Sequence, residues 1–376
     1  MQFKNIVGQQ HIKNKLIQTV KNGRISHTQL FLGAEGVGAL PLAVAYAQYI
    51  NCPNATDEDS CGTCPSCVKF TKLVHPDLHF TFPTIAIEKK KLSNEFIAEW
   101  REAFMANPNL SELDWILNLD SEGKKQGNIT AEECRDIIRK LGLKPYEAKY
   151  KTVIIWLPEY MRTEGNILLK LLEEPPEQTL IILVAQDADK VIATILSRTQ
   201  TMRIPRLQEE EITQYLIEKY EAAPEVASAV ARISEGSLVQ AGSLIQAGHA
   251  NYFEMFTTWM RLCYNSRKEI ESLTSWVEGS AGKGREFLKS YLIYCQHMLR
   301  SCLVYKFGDP KLLRLNEQET AFIQRFSASL TETNISPIVQ EINKSTMHLE
   351  RNADLKITFL NLSLYIGRLL DKQKTA

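Results

Sequence analysis

Four cysteines stand close enough in the chain to act as a group: Cys52-x8-Cys61-x2-Cys64-x2-Cys67. Four soft thiolates with two tight C-x-x-C steps can close a tetrahedral shell around Zn²⁺. Gly62 and Pro65 suit the turns such a knuckle needs. With four thiolates in place no position remains for a reacting water, so the expected role is structural. A redox pair is the weaker reading, because no thioredoxin-like strand–helix context surrounds the motif. His75 and His79 lie nearby but are not needed as ligands. Cys134, Cys263, Cys295 and Cys302 are scattered through apolar helical contexts.

A second stretch has the outline of a phosphate site. Phe31-Leu32-Gly33-Ala34-Glu35-Gly36-Val37-Gly38-Ala39-Leu40 runs from an apolar strand end through Gly33, Gly36 and Gly38 into an apolar helix. Such a loop turns backbone N–H groups onto phosphate oxygens at a helix N-terminus. A working version continues Gly-Lys-[Ser/Thr]. Here Ala39 and Leu40 follow Gly38, so both the phosphate-binding lysine and the Mg²⁺-binding hydroxyl are missing. The strand Lys151–Trp156 should end in an acid in a nucleotide hydrolase. It ends in Trp156-Leu157-Pro158-Glu159 instead, with Glu159 displaced. A productive nucleotide is not expected in this loop.

The elements that would position these residues alternate. An amphipathic helix carrying Ile12, Leu16, Ile17 and Val20 and ended by Asn22-Gly23, and a second helix over 40–50, flank a buried strand ending at Leu32, and further strands are expected at Leu78–Phe82, Lys151–Trp156, Thr179–Ala185 and Met202–Ile204. This alternation predicts a parallel α/β sheet. His27, before the first strand, reads as structural. Thr84 to Gly127 is polar and mixed, with one helix near Glu95–Met105, and reads as a solvated surface insertion. Its Lys89-Lys90-Lys91 beside Trp100 and Trp115 is also compatible with contact to a single nucleic-acid strand. After Pro205 only helices are expected: Glu209–Tyr220, Val226–Ile233, Val239–Ile245, Tyr252–Tyr264, Arg285–Tyr305, Glu317–Leu330, Ile335–Asn352 and Leu355–Leu369.

The chain has 376 residues, 44% hydrophobic and 23% charged, with a formal net charge of zero. Length predicts two or three domains. Neutrality excludes a global field toward nucleic acid, so any such binding is local. No apolar run is long enough to span a bilayer, and no secretory leader opens the sequence, so a cytoplasmic location and no membrane contact are expected.

Together these pieces resemble bacterial clamp-loader proteins of the AAA+ class. The resemblance rests on Phe3-x-x-Ile6-Val7-Gly8-Gln9, on Ser26-His27 before the glycine loop, and on the cysteine spacing after that loop's helix. Asn166-Ile-Leu-Leu-Lys170-x-Leu172-Glu173-Glu174-Pro175-Pro176 is similar to the family's helix after the second acidic motif. Thr194-Ile-Leu-Ser197-Arg198 is similar to its Ser-Arg-Cys motif, with Thr199 in place of Cys. His348-Leu-Glu350-Arg351-Asn352-Ala353 is similar to the start of the last collar helix.

The resemblance implies an AAA+ parallel-sheet α/β domain over 1–205, holding the cysteine module (52–67) and an extra insertion (about 84–127) without a family counterpart. It further implies a small helical lid domain over 206–249 and an all-α collar domain over 250–376. In the lid, Gly236-Ser237-Leu238 is followed by Val239 where motor subunits carry an arginine. Three nucleotide contacts are thus lost, which points to a non-hydrolysing subunit without ATPase activity of its own. Arg198 is implied to be an arginine finger acting in trans on ATP held by a neighbouring subunit, with Ser197 supporting it. The implied partners are motor subunits of the gamma/tau type, a delta subunit, a beta-type sliding clamp and primed DNA, within the DNA polymerase III holoenzyme. Two alternatives remain: an autonomous AAA+ ATPase, and a zinc-dependent DNA-binding protein. Against the latter, Lys69 and Lys72 are the knuckle's only obvious cations.

Overall fold

The computed structural model describes residues 1–87, 90–120, 126–246, 252–309, 313, 315, 317–351 and 353–371. The chain forms two compact units: Met1–Tyr215 with Glu235–Val239, and Leu216–Ser234 with Gln240–Ala376.

In the first unit, α1 (Gln10–Lys21), β1 (Thr28–Leu32) and α2 (Ala39–Ile50) are followed by the short α3 (Pro65–Thr71) and β2 (Leu78–Thr81). The helices α4 (Ile97–Ala106), α5 (Glu112–Leu119) and α6 (Ala131–Leu141) come next. Then β3 (Lys151–Trp156), α7 (Leu169–Glu173), β4 (Thr179–Ala185), α8 (Ala193–Leu196) and β5 (Gln200–Arg203) complete the sheet, and α9 (Glu209–Tyr220) follows. The strands are parallel in the order β2-β3-β4-β1-β5, with Thr28 opposite Ile181 and Gln29 opposite Gln200. This is the parallel α/β module expected from the alternation.

Burial on both faces explains the continuous apolar strands. Ile154, Trp156, Ile182 and Val184 pack on one side with α2, while Val153, Ile155, Ile181 and Leu183 pack on the other with Cys134, Ile137 and Leu141 of α6. Because every strand points the same way, the loops after Leu32, Trp156 and Ala185 share one edge. The segments that lead into β1, β4 and β5 share the other.

The segment over 84–127 is not a solvated insertion. Thr84 and Asn128 close its base with reciprocal backbone hydrogen bonds of 3.0 and 2.9 Å. Trp100 and Trp115 are both 0% exposed. Trp100 stacks on Phe82 and Phe104 (centroids 5.0 and 5.3 Å), Trp115 meets the edge of Phe82, and its Nε1–H donates to the Pro83 carbonyl at 2.7 Å. Such aromatic pairs bury large areas, which outweighs the polar average of the segment. Buried tryptophans present no face to a nucleobase. Lys90 pairs with Glu99 at 3.0 Å; Lys89 and residues 121–125 lie outside the described residues.

The second unit is helical. It contains α10 (Pro224–Ile233), α11 (Leu238–Gln246), α12 (Tyr252–Tyr264), α13 (Ile270–Ala281), α14 (Arg285–Phe307), α15 (Glu317–Phe326), α16 (Glu332–Glu350) and α17 (Leu355–Asp371). Sequence reading omits α13 and carries α16 on to Asn352, which lies outside the described residues. Trp259 anchors the core: it stacks on Trp276 at 5.9 Å and donates Nε1–H to Ser363 Oγ at 2.8 Å. No described helix is long and apolar enough to cross a membrane.

Candidate functional site

The two ends of α2 carry the two candidate centres. At its C-terminal end, Cys52 follows directly, and the chain returns through Cys61, Cys64 and Cys67, the last on α3. All four Sγ atoms lie within 4.8 Å of one another. Cys61 Sγ and Cys67 Sγ are 3.9 Å apart, close to the ~3.8 Å edge of a tetrahedron built on metal–sulfur bonds of about 2.3 Å.

The backbone is arranged for sulfur that carries charge. The amides of Cys61, Cys64 and Cys67 donate to Cys52, Cys61 and Cys64 Sγ at 3.3, 3.3 and 3.4 Å. Hydrogen bonds from the Cys64 and Thr63 amides bring the Cys61 thiol down to about 6, whereas burial pushes Cys52 and Cys67 up. A central cation would provide the countercharge that the buried thiolates lack. These residues can hold a metal ion.

The knuckle is tied to its surroundings. Asp59 accepts the backbone N–H groups of Phe3 and Lys4 (both 3.0 Å), and Ser66 Oγ donates to the Asn51 carbonyl at 3.0 Å. His75 and His79 are not ligands. His75 Nδ1 accepts the Asp77 N–H at 3.2 Å, and His79 is brought to about 4 by burial and then by Lys140 and Lys151.

At the N-terminal end of α2 the glycine loop has its expected shape. Gly36 is left-handed (φ +80°), and a Cβ there would meet Ser237 Oγ at 2.2 Å. The Leu238 N–H donates to the Gly36 carbonyl at 2.9 Å. The segment Ser237–Val239 thus backs directly onto the loop, with Val239 where the resemblance places an arginine.

The mouth of the loop is narrow. Pro108, Asn109, Leu110, Trp156 and Gln186 line it around a small cavity of about 30 Å³. The Glu112 N–H donates to Glu35 Oε1 at 3.3 Å, and Tyr160 donates its hydroxyl to the Glu112 carboxylate. Trp156 stands at the strand end where an acid would hold Mg²⁺. Glu159 accepts the Gln186 and Asp187 N–H groups at 2.6 and 3.0 Å, and burial raises its carboxyl. Its Oε1 therefore braces a loop, while its Oε2 is buried without a hydrogen-bond partner.

Arg198 lies in the turn between α8 and β5. Nε donates to Glu173 Oε1 at 2.5 Å, and Nη1 donates to the Thr194 carbonyl at 3.0 Å and to Ser197 Oγ at 3.2 Å. The side chain is 31% exposed. Thr28 Oγ1 donates to the Leu172 carbonyl at 3.2 Å, which fixes this corner at the amino end of β1. The glycine loop is at its carboxyl end. Five strand residues at about 3.3 Å each put roughly 16 Å between the two. Arg198 therefore lies at the sheet edge opposite the chain's own loop.

Three parts of this arrangement escape sequence reading: the Pro108–Leu110 lining, the Glu173 partner and the burial of α5. One signal for α5 is visible in the sequence. Ser111 caps it by accepting the Asp114 N–H at 3.0 Å, and Ser-Glu-Leu-Asp before Trp115, Ile116 and Leu119 is a helix-start pattern.

Residues 8–208 match the family model described as "DNA polymerase III, delta subunit". The chain belongs to this family. Among curated relatives, the tau/gamma subunit of DNA polymerase III from Haemophilus influenzae is 28% identical over 215 residues, covering 57% of this chain and 25% of that protein. The gamma subunit from Buchnera aphidicola is 26% identical over 215 residues, covering 57% and 48%, and the Escherichia coli tau subunit is 27% identical over 242 residues, covering 63% and 31%. The match thus spans a quarter to about half the length of these relatives. A Thermotoga maritima gamma-subunit-related structure overlays 98% of this chain and 100% of its own at 14% identity and a TM-score of 0.36. The Bacillus subtilis clamp loader delta protein overlays 95% and 98% at 11% identity and a TM-score of 0.33. These overlays are too loose to add to what the sheet itself shows. The delta-family domain and its gamma/tau relatives place the chain in the clamp-loader family of DNA polymerase III.

Proposed function

We propose that the chain is the delta-prime subunit of a DNA polymerase III clamp loader, a member that does not hydrolyse ATP itself. Arg198 acts in trans on ATP held by a gamma/tau-type motor subunit, supported by Ser197. Residues 1–205 form the AAA+ domain, 206–249 the lid and 250–376 the collar that joins the other subunits. A delta subunit, a beta-type sliding clamp and primed DNA complete the assembly. Zn²⁺ fills the Cys52, Cys61, Cys64 and Cys67 site as a structural ion.

The observation that carries this reading is the glycine loop itself, which lacks the lysine, the hydroxyl and the strand-end acid and opens on a small cavity of about 30 Å³. A guanidinium spreads charge over a planar fork suited to phosphoryl oxygens. Arg198 keeps such a fork partly exposed at the opposite sheet edge. The pairing with Glu173 favours a second reading, in which Arg198 is a local brace.

The test is the DNA- and clamp-stimulated ATPase of a reconstituted loader with wild-type chain or Arg198→Ala, beside the chain alone. A trans-acting finger gives an inert isolated chain and a mutant loader that assembles but hydrolyses roughly 10³-fold more slowly or worse at sites facing this chain. An unchanged rate in the assembled mutant makes Arg198 a brace, and turnover by the isolated chain overturns the non-hydrolysing reading.

A further inference from the structure

In the helical unit, an open groove of about 620 Å³ runs between α12 and α15. Its α12 wall extends from Phe253 to Tyr264 and its α15 side from Gln318 to Ser329 just beyond the helix. Each side spans twelve residues, about 16 Å over the eleven rises of 1.5 Å between them. The floor is aromatic: Phe322 packs against Phe253 at 5.9 Å and against Phe256 at 5.8 Å, and Phe326 against Phe256 at 6.1 Å. Phe253, Phe322 and Phe326 are only half-buried. A volume of this size lies within the range of about 300–1,000 Å³ that bound ligands fill.

The charge along the groove has one sign. Among the described residues its only charged lining groups are Arg261 and Arg325, both exposed. Arg325 donates Nε–H to the Ala321 carbonyl of its own helix at 3.2 Å, which leaves its outer guanidinium edge free to meet a ligand. An apolar trough a few turns long between two helices suits a third helix laid along it. Two arginines at the rim select carboxylates on that helix.

We propose that this groove docks an amphipathic helix of a separate partner protein. The helix is about three turns long, apolar on the face that enters the groove and flanked by aspartate or glutamate. The inference stands whether or not Arg198 acts as a finger, because none of its residues belongs to the sheet-containing unit.

The test uses the full chain and a displayed library of 12-residue helical peptides. Apolar residues are fixed at positions 1, 4, 8 and 11, and Asp, Glu, Lys, Arg, Ser and Gln are randomised elsewhere. The expected result is enrichment of acidic peptides that bind with micromolar affinity and lose about tenfold or more against the Arg261→Glu/Arg325→Glu variant. That variant alters only exposed side chains, and its unfolding transition serves as the folding control. Phe322→Ala, which also weakens the floor, should lower binding of the same peptides. Neutral or basic winners, or acidic winners indifferent to the double variant, overturn the proposal. So does a chain dimer in sedimentation velocity that the double variant dissolves, since the occupant is then a second copy of this chain.

Discussion

The two ends of α2 have met opposite fates. At its C-terminal end the cysteine knuckle has a complete donor set, with four thiols converging and backbone amides pointed at three of the sulfurs. At its N-terminal end the glycine loop keeps the backbone shape of a phosphate cradle, but it lacks the lysine and the hydroxyl, and its mouth is narrow and lined by residues 108–110. The same apolar helix supports both, so the scaffold alone does not preserve a site. Cysteines that can hold a metal would also be staples of the fold, which ties the site to the scaffold. A nucleotide site without its lysine keeps only its shape.

The largest effect should come from the knuckle. Chelation of the metal, or Cys64→Ser, is expected to remove local stability on the order of 10 kcal/mol. Hydrogen exchange should then quicken through residues 52–67 and reach the Phe3 and Lys4 amides that Asp59 holds. Unchanged exchange at Phe3 and Lys4 would mean that the staple ends at the cysteines.

Next is Trp115→Ala, which removes the anchor of the segment lining the loop's mouth. Loss of a fully buried tryptophan should cost about 3–5 kcal/mol in denaturant unfolding of the first unit. A cost below 1 kcal/mol would show the segment to be loosely attached and the contrast between the two ends of α2 to be weaker than drawn.

Acid sharpens the comparison by separating thiol protonation from other losses. His79, brought to about 4 chiefly by burial, is neutral when folded and titrates near 6.5 when unfolded. Its contribution is complete above pH 6.5 and lost as pH falls toward 4, amounting to about 2 kcal/mol by pH 5. His79→Gln should flatten that part of the profile while leaving the metal-dependent part intact. An identical pH profile in the variant would assign the whole acid loss elsewhere.

The smallest expected change is none. Ala39→Lys with Leu40→Thr restores the missing loop residues, yet titration calorimetry should still detect no ATP binding, because the cavity is small and Trp156 stands in place of the strand-end acid. Binding at millimolar affinity or better would mean that the cavity opens readily.

The sheet and most helices were legible because apolar runs and capping residues report burial directly. The cysteine site was legible because ligand spacing is a local property. The segment over 84–127 was misread because its polar composition averages over a few large side chains. Trp100, Phe104 and Trp115 decide its placement, and their partners Phe80 and Phe82 lie in and beside a strand. Glu173 as the partner of Arg198 was hidden for a related reason. The two are 25 residues apart in sequence and meet only where the connections into β4 and β5 come together.

The parallel sheet gives the molecule a polarity. Arg198 is at the edge where strands begin, and the glycine loop is at the edge where they end. Copies or relatives that join edge to edge through such surfaces do so head to tail, and a head-to-tail series has a direction. Under the proposed function the chain gives at one edge and does not receive at the other. It would then stand at an end of such a series and leave a seam in any ring that contains it.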